Sequence, residues 1–263
     1  MFNEQRFEKK LKNILCRNVR IINRSLKYFM KEGDEFIKKT PSYVSGRSVK
    51  SFLRYVLSPF IVRKFRSSAQ YINCYYDALD LAFSFQAFGV SIKPGQVKDE
   101  IAKLLEIVAG LRPKVVLEIG TEKGGTLFLF TRIADLEAKI ISIDLPGGPF
   151  GGGYPRWKIP LYKSFSKERQ RIYLLRGDSH NPRTLEEVKR ILSGQKVDFL
   201  FIDGDHTYEG VKRDFEMYSP LIRKGGIIAF HDICQHPPET GCEVNSFWNE
   251  IKHEYRYVEI VKD

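Results

Sequence analysis

The sequence predicts an α/β protein with a mostly parallel sheet that helices cover on both faces, in a Rossmann-like arrangement. Short and almost continuously apolar segments, such as 115–119 and 197–203, alternate with amphipathic segments of helical periodicity. The first apolar segment runs into a glycine-rich turn at 120–125. This order of strand, turn and helix is typical of sites that bind nucleotide-like ligands.

The elements follow one another in regular alternation. Helices are predicted within 71–88 and from Val97 to Val108, ahead of the first strand. Strands are then predicted at 115–119, 139–144, 171–175, 197–203, 226–230 and 256–261, and helices at 124–135, 161–169, 184–193, 207–218 and 245–254.

Charge divides the chain into two parts. Residues 1–70 contain 17 Lys and Arg against 5 Asp and Glu, whereas the remaining residues contain 26 against 27. We therefore predict a basic helical extension at 1–70 and a catalytic domain at 71–263. The extension contains two amphipathic stretches, from Phe7 to about Gly33 and from Val49 to Phe65, and we expect Pro59 to break the second.

The extension could serve several partners. Its apolar stripes favour packing on the domain itself or on a second subunit in a homo-oligomer, and peripheral contact with an anionic membrane is the alternative. Nucleic acid is not expected, because no recognised binding module accompanies the charge. Four scattered cysteines, the lack of an apolar run of ~20 residues and the lack of a signal-peptide core predict a cytoplasmic protein.

Polar side chains or glycines follow five consecutive predicted strands. Ligands of parallel sheets bind beyond the carboxyl ends of the strands, so these residues are the candidates for a site. They are Glu118, Gly120, Gly124 and Thr126, then Asp144, then Gly177, Asp178 and Ser179, then Asp203, Asp205 and His206, and finally His231 and Asp232.

The first strand ends can be interpreted in two ways. Gly120 and Gly124 would let the backbone approach a ligand, and Asp144 could bind both hydroxyls of a ribose. Alternatively, these are ordinary turn glycines and a helix cap. Dinucleotide binding is disfavoured, because Glu122 takes the place of the middle glycine in the usual fingerprint.

Long runs of the chain resemble a known family. The motif E-x-G-x-x-x-G-x-[ST], the acid that ends the second strand and the D-x-x-H segment after the fourth are similar to those of class I S-adenosylmethionine-dependent O-methyltransferases. More narrowly, the chain resembles the cephalosporin-hydroxylase-like (methyltransferase 24-type) family, which is related to macrolide-sugar and catechol O-methyltransferases. The segments that carry this resemblance are VVLEIGTEKGGTLFLF, IISIDLPGGPFGGGYP, VDFLFIDGDHTYEGVKRDFEMYSPLIRKGGIIAFHDI and HPPETG. The resemblance covers approximately residues 90–260.

The resemblance implies transfer of a methyl group from S-adenosylmethionine to a hydroxyl of a sugar, a glycan precursor or a small secondary metabolite. Glu118, Gly120 and Gly124 would line the methionine and ribose side of this cofactor, with Thr126 also in the cofactor site. Asp144 would bind the ribose hydroxyls, and Asp178 with Ser179 the adenine.

The resemblance also implies a divalent metal on Asp203 and Asp232, with His231 at or near it, and His206 as the general base. Carboxylates at adjacent strand ends repel each other unless a cation such as Mg²⁺ lies between them, and that cation could acidify a hydroxyl. A histidine suits proton abstraction near neutral pH. Alternatively, Asp203 caps a helix, Asp232 accepts loop hydrogen bonds and His206 orients its neighbours.

Other interpretations remain open or are disfavoured. The rival function is a non-catalytic protein of the same fold that docks a partner or an anionic membrane through its basic arm. Hydroxylase chemistry lacks a two-His-one-carboxylate set at short spacing, and zinc at Cys234, His236 and Cys242 matches no common spacing. Class I sheets usually have two strands after the fifth, whereas only 256–261 is a candidate here, so one sheet edge would need a cover.

Overall fold

The computed structural model describes residues 47–147 and 152–261. In chain order its elements are α1 (Arg47–Ala69), α2 (Tyr75–Ser84), β1 (Gln86–Ala87), β2 (Val90–Ser91), α3 (Lys98–Leu111), β3 (Val115–Ile119), α4 (Gly125–Ile133), β4 (Lys139–Asp144), α5 (Ile159–Lys163), β5 (Arg171–Arg176), α6 (Pro182–Leu192), β6 (Val197–Ile202), α7 (Tyr208–Tyr218), β7 (Ile222–Phe230) and α8 (Val244–Ile251). Short 3₁₀ turns lie at Arg156–Lys158, Ser219–Leu221, Pro238–Thr240 and Lys252–Glu254.

The central sheet has the strand order β5-β4-β3-β6-β7, and every neighbouring pair is parallel. From β3 the chain builds outward to β4 and β5, and then crosses to β6 and β7 on the other side. This reversal opens a crevice at the carboxyl ends of the central strands, where ligands of such sheets bind. The predicted fold class is confirmed.

Alternating residues of the strands separate two cores. Val116 of β3 faces a cluster covered by α1 to α5, where Phe130 packs edge-to-face on Phe199 with ring centroids 5.0 Å apart. Leu117, the next residue, faces the second cluster, which α6, α7 and α8 cover. Because both faces are buried, the strands are apolar along almost their whole length.

Helix α1 is continuous through Pro59, so the predicted break is wrong. Leu57, Ile61 and Phe65 lie on both sides of the proline and are buried in the domain core, exposed by 6%, 1% and 1%. A proline inside a helix costs about 3 kcal/mol, whereas burial of each large apolar side chain contributes about 1.5–3 kcal/mol. This part of the extension packs on the domain, while the boundary at residue 70 remains a prediction and the stretch from Phe7 to Gly33 lies outside the described residues.

The predicted strand at 256–261 is also wrong, because this segment pairs with no strand of the described chain. It lies beside α8, where Glu259 Oε1 accepts hydrogen bonds from Trp248 Nε1 at 2.6 Å and from Lys252 Nζ at 2.9 Å. Val258 is 70% exposed, and the apolar residues of this segment form no buried face. A strand needs such a face as well as a paired backbone.

Smaller differences concern turns and element lengths. The hairpin of β1 and β2 was not predicted; Phe88 and Gly89 turn it with φ angles of 52° and 68°. Strand β7 begins at Ile222, before the predicted 226, and α5 is shorter than predicted. Among the described helices, none has both the length and the apolarity to cross a membrane.

Gly124 provides a test of the packing beneath the glycine-rich turn. Its φ is +86°, and a Cβ atom there would lie 2.6 Å from the Tyr162 ring. We expect Gly124→Ala to lower the free energy of unfolding by about 1–3 kcal/mol, measured by urea denaturation. The matched control is Gly110→Ala in α3, where the added methyl meets nothing within 4 Å and helix propensity favours alanine by about 1 kcal/mol. Equal stability of the two variants would contradict this packing.

Candidate functional site

The carboxyl ends of the central strands border one cavity of about 330 Å³. That size lies within the range of small-molecule sites. The predicted residues that line it are Gly120, Thr126, Asp144, Gly177, Asp178, Ser179, Asp203, Asp205, His206 and His231, whereas Asp232 is not among the lining residues. Pro94, Gly95 and Gln96, which precede α3, complete the wall, and sequence reasoning did not find them.

Both predicted glycines have packing reasons for being glycine. Gly120 has φ +95°, and a Cβ atom there would lie 1.9 Å from the carbonyl oxygen of Asp203. This close backbone approach holds the ends of β3 and β6 together at the cavity wall. Gly124, by contrast, lies against Tyr162 and is not among the residues that line the cavity.

Glu118 is fully buried and does not line the cavity. Its carboxyl accepts hydrogen bonds from Thr126 Oγ1 and Ser142 Oγ, each at 2.5 Å. Burial raises the pKa of Glu118 to about 8, although these two hydrogen bonds act in the opposite direction. In this position Glu118 braces the start of α4 and the neighbouring strand β4.

Asp144 both lines the cavity and holds the glycine-rich turn. Its Oδ2 accepts the backbone N–H groups of Thr121 at 3.0 Å and Glu122 at 2.7 Å, and its Oδ1 accepts that of Gly153 at 2.9 Å. Burial raises the pKa of Asp144, while these backbone hydrogen bonds oppose the shift. These amides belong to the turn before α4 and to the loop at Gly153, so Asp144 holds a turn and does not cap a helix, and the ribose role remains a prediction.

The loop after β5 is fixed by its own hydrogen bonds. Asp178 Oδ1 accepts the backbone N–H of His180 at 2.8 Å, and the carbonyl of Ser179 accepts the Tyr218 hydroxyl at 2.8 Å. His180, which was not predicted, lines the cavity, and its Nε2 lies 3.2 Å from Oδ1 of the buried Asp214. The pair places one imidazole beside Asp178 and Ser179.

Two aspartates and three histidines meet at the ends of β6 and β7; we call Asp203, His206, His231, Asp232 and His236 the acid–histidine cluster. Oδ1 of Asp203 lies 3.3 Å from His206 Nε2 and 3.1 Å from His231 Nδ1. Oδ1 of Asp232 lies 3.1 Å from His231 Nδ1 and 3.4 Å from His236 Nε2, and its Oδ2 lies 3.2 Å from His206 Nδ1.

Charge and burial act against each other in this cluster. Burial lowers the pKa of His231, but the carboxylates of Asp203 and Asp232 outweigh burial and raise it to about 10. Burial would raise the pKa of both aspartates, but the histidines hold each below its usual value. Both ring nitrogens of His206 face carboxylates. The hydrogen bond with Asp203 raises the pKa of His206, so its charged form is favoured.

Gln96 joins the cluster from the opposite wall. Its Nε2 donates to Asp203 Oδ2 at 2.7 Å, whereas its buried Oε1 has no hydrogen-bond partner among the described residues. The NH₂ group of Gln96, and not its oxygen, must face Asp203, because an ionised carboxylate can only accept hydrogen bonds. No sequence motif identifies Gln96, which lies 107 positions from its partner.

The cluster fits a divalent cation. Asp203, His231 and Asp232 each offer one ligand atom, and these atoms lie within 4.8 Å of one another. His231 Nδ1 is buried and makes no well-aligned hydrogen bond, although it lies 3.1 Å from each carboxylate. This nitrogen can carry a proton between the two carboxylates, and when it is deprotonated it can join them as a ligand of a cation.

The two disfavoured metal hypotheses involve residues beside Asp232. His231 and His236 both approach Asp232 Oδ1, at 3.1 and 3.4 Å, but His236 is not part of the ligand group of Asp203, His231 and Asp232. Cys242 belongs to a second possible ligand group, with His206 and Asp232. Cys234 is exposed. Asp232 itself has a left-handed backbone with φ 58°, a strained conformation that occurs most often at functional sites.

The buried acid Glu118 predicts a pH dependence of stability. In the folded protein the Glu118 carboxyl keeps its proton up to the raised pKa of about 8, whereas in the unfolded chain it releases the proton near 4.5. The folded state therefore binds more protons in this window, and the free energy of unfolding falls as pH rises through it. Glu118→Gln should lose this slope and gain stability relative to the wild type with rising pH.

Urea denaturation at several pH values across that window measures this effect. The exposed Glu137→Gln variant, whose side chain is 62% exposed, is the control and should keep the wild-type slope. An unchanged slope in Glu118→Gln would show that Glu118 is ionised in the folded protein.

Part of the chain is similar in sequence to a known kind of domain and to two other proteins. Residues 117–233 match a family model described as a methyltransferase domain. An uncharacterized protein of Sinorhizobium fredii is 28% identical over 148 residues, which are 55% of this chain and 16% of the relative. An uncharacterized protein of Acanthamoeba polyphaga mimivirus is 31% identical over 118 residues, which are 44% of this chain and 50% of the relative. The chain thus spans half or less of each relative's length.

Solved structures that align with this chain include methyltransferases. The apo structure of a TDP-rhamnose 3'-O-methyltransferase from calicheamicin biosynthesis aligns with 19% identity and a TM-score of 0.44, covering 74% of this chain and 86% of that one. An O-methyltransferase from Bacillus cereus in complex with S-adenosylhomocysteine aligns with 16% identity and a TM-score of 0.42, covering 68% and 78%. Residues 117–233 are thus similar to a methyltransferase domain, and within the described chain the strands of this region form a parallel sheet whose order reverses between β3 and β6.

Proposed function

We propose that the chain transfers a methyl group from S-adenosylmethionine to a hydroxyl oxygen of a sugar, a glycan precursor or another small metabolite. One observation carries the proposal: in the region that matches a methyltransferase domain, one cavity is bordered by the glycine-rich turn and by Asp203, His206 and His231 of the acid–histidine cluster. A cofactor held at the turn would therefore lie beside groups that can bind and deprotonate a hydroxyl.

The turn side of the cavity is the proposed cofactor site. When bound, S-adenosylmethionine supplies a methyl group on a positively charged sulfur, whose S–C bond breaks as the O–C bond forms. Gly120 and Thr126 would border the cofactor, Asp144 would accept its ribose hydroxyls, and Asp178 with Ser179 would contact its adenine. Asp144 already accepts three backbone hydrogen bonds, so its orientation is fixed before a ligand binds.

His206 is the proposed general base for the hydroxyl proton. It lines the cavity, and Asp203 and Asp232 hold its ring from both sides. The hydrogen bond with Asp203 and the charges of both aspartates raise the pKa of His206, and a positive charge on the aspartates would oppose that shift. A cation at the aspartates would therefore favour the neutral imidazole that a base requires.

Asp203 and Asp232 would hold a divalent cation, which supplies a positive charge that acidifies a bound hydroxyl. The family resemblance implies Mg²⁺ at these carboxylates. Asp203 is oriented by Gln96, and Asp232 by its strained backbone, so both carboxylates are directed toward the shared position of His231.

Replacement of the proposed base tests the mechanism. We expect His206→Asn to lower turnover by about 10²-fold or more while binding of S-adenosylhomocysteine changes little, because general bases contribute about 10²–10⁴-fold. Release of S-adenosylhomocysteine with a panel of sugars and nucleotide sugars measures turnover. The control is His253→Asn, on an exposed turn outside the cavity. Full turnover in His206→Asn would remove the base from the mechanism.

A second candidate function is docking on an anionic membrane. The 23-residue helix α1 has six Lys or Arg and no acidic residue. Its apolar stripe packs on the domain, and Arg63, Lys64 and Arg66 are exposed. We propose that this exposed face contributes electrostatic attraction to acidic lipids, worth about 1 kcal/mol per basic residue near the surface.

Vesicle sedimentation tests the second candidate. The double variant Arg63→Glu and Lys64→Glu should bind phosphatidylserine vesicles several-fold more weakly than the wild type, with neither binding pure phosphatidylcholine. Lys189→Glu and Arg190→Glu, both exposed on α6, make the same change in net charge and should bind like the wild type. Equal losses in both double variants would indicate net charge alone and exclude α1 as the docking face.

A further inference from the structure

The acid–histidine cluster contains more nitrogen donors than a magnesium site needs. Three imidazoles lie within 3.4 Å of a carboxylate oxygen of Asp203 or Asp232. The central one is His231, whose Nδ1 lies at the same distance, 3.1 Å, from both aspartates. Any cation held by both carboxylates would therefore meet the nitrogen of His231.

Donor chemistry separates the possible cations. Mg²⁺ is a hard ion that selects carboxylate, carbonyl and water oxygens and keeps several waters. Imidazole instead suits first-row transition metals, and two histidines with one carboxylate are a typical ligand set for them. His231 supplies one imidazole to the group that it forms with Asp203 and Asp232, and His206 supplies another to a group with Asp232 and Cys242; the ligand atoms of each group lie within 4.8 Å of one another.

Gln96 provides an independent observation at the same place. It is only 8% exposed, it lines the cavity, and its Oε1 is a buried acceptor without a partner among the described residues. A buried unpaired acceptor is unfavourable by about 1–3 kcal/mol, and water carried by a metal ion would donate to it. Its Nε2 also occupies Asp203 Oδ2, which leaves Oδ1 directed toward His231.

We propose that the acid–histidine cluster binds a first-row transition cation of the Mn²⁺, Fe²⁺, Co²⁺ or Zn²⁺ class in preference to Mg²⁺. Asp203, His231 and Asp232 are the ligands. Gln96 orients Asp203 and accepts a hydrogen bond from metal-bound water. The use of the cation in catalysis rests on the proposed function, whereas its binding does not.

Calorimetric titration of the chelator-treated full chain with Mn²⁺, Zn²⁺ and Mg²⁺, each alone, tests this selectivity. The wild type should bind Mn²⁺ or Zn²⁺ at least about tenfold more tightly than Mg²⁺. His231→Glu replaces the nitrogen by oxygen and should reduce this ratio about tenfold or more. His253→Asn is the control and should keep the wild-type ratio. Equal or tighter binding of Mg²⁺ by the wild type, or an unchanged ratio in a folded His231→Glu, would overturn the inference.

A spectroscopic measurement on the wild type avoids any folding defect of the variant. With histidine labelled by ¹⁵N, electron spin echo spectroscopy of bound Mn²⁺ should show coupling to an imidazole nitrogen. Bound Mn²⁺ without nitrogen coupling would overturn the inference. Selective Mn²⁺ or Zn²⁺ binding in a protein that binds no S-adenosylmethionine would refute the proposed function alone, whereas methyl transfer without any cation binding would refute this inference alone.

Discussion

The close contact between Gly120 and the backbone of Asp203 is the constraint on which the site depends. With a side chain at position 120, the Cβ atom would lie 1.9 Å from the Asp203 carbonyl oxygen. The bare glycine lets the ends of β3 and β6 meet, and the N–H of Asp203 donates to the carbonyl of Ile119 at 2.8 Å. As a result, the glycine-rich turn and the acid–histidine cluster share one cavity wall.

Buried polar side chains hold that contact in place. Asp144 accepts the amides of the turn, and Glu118 accepts the hydroxyls of Thr126 and Ser142 beneath it. Each buried carboxyl is unfavourable unless it is hydrogen-bonded or protonated, and these contacts meet that requirement. Cavity-lining residues at 119–123 and the supporting Glu118 therefore lie in one short stretch of sequence.

The sequence was sufficient to predict much of the sheet and the position of the site. Five strands were recognisable because parallel strands buried on both faces are apolar throughout, and parallel strands bring their carboxyl ends to one edge. For this reason Asp203 and Asp232, 29 positions apart, could be predicted as neighbours. The family resemblance added the proposed chemistry to these positions.

Other features depend on information that no local pattern carries. Glu118 belongs to the motif but does not line the cavity, because its carboxyl is buried and hydrogen-bonded to Thr126 and Ser142. Gln96 reaches Asp203 only because the segment before α3 packs on the start of α4, where Gly125 approaches Pro94. The segment at 256–261 has strand-like composition, yet strand formation also requires a free edge at the right distance and a face to bury.

The central claim is that the crevice at the carboxyl ends of β3 to β6 is the S-adenosylmethionine site. A crystal structure of the chain with S-adenosylhomocysteine tests this most directly. The account predicts the ligand in the cavity between Gly120 and Asp178, with its ribose on Asp144. A ligand found instead in the groove between α6 and α7, near Leu185 and Met217, or an empty cavity at saturating ligand concentration, would contradict it.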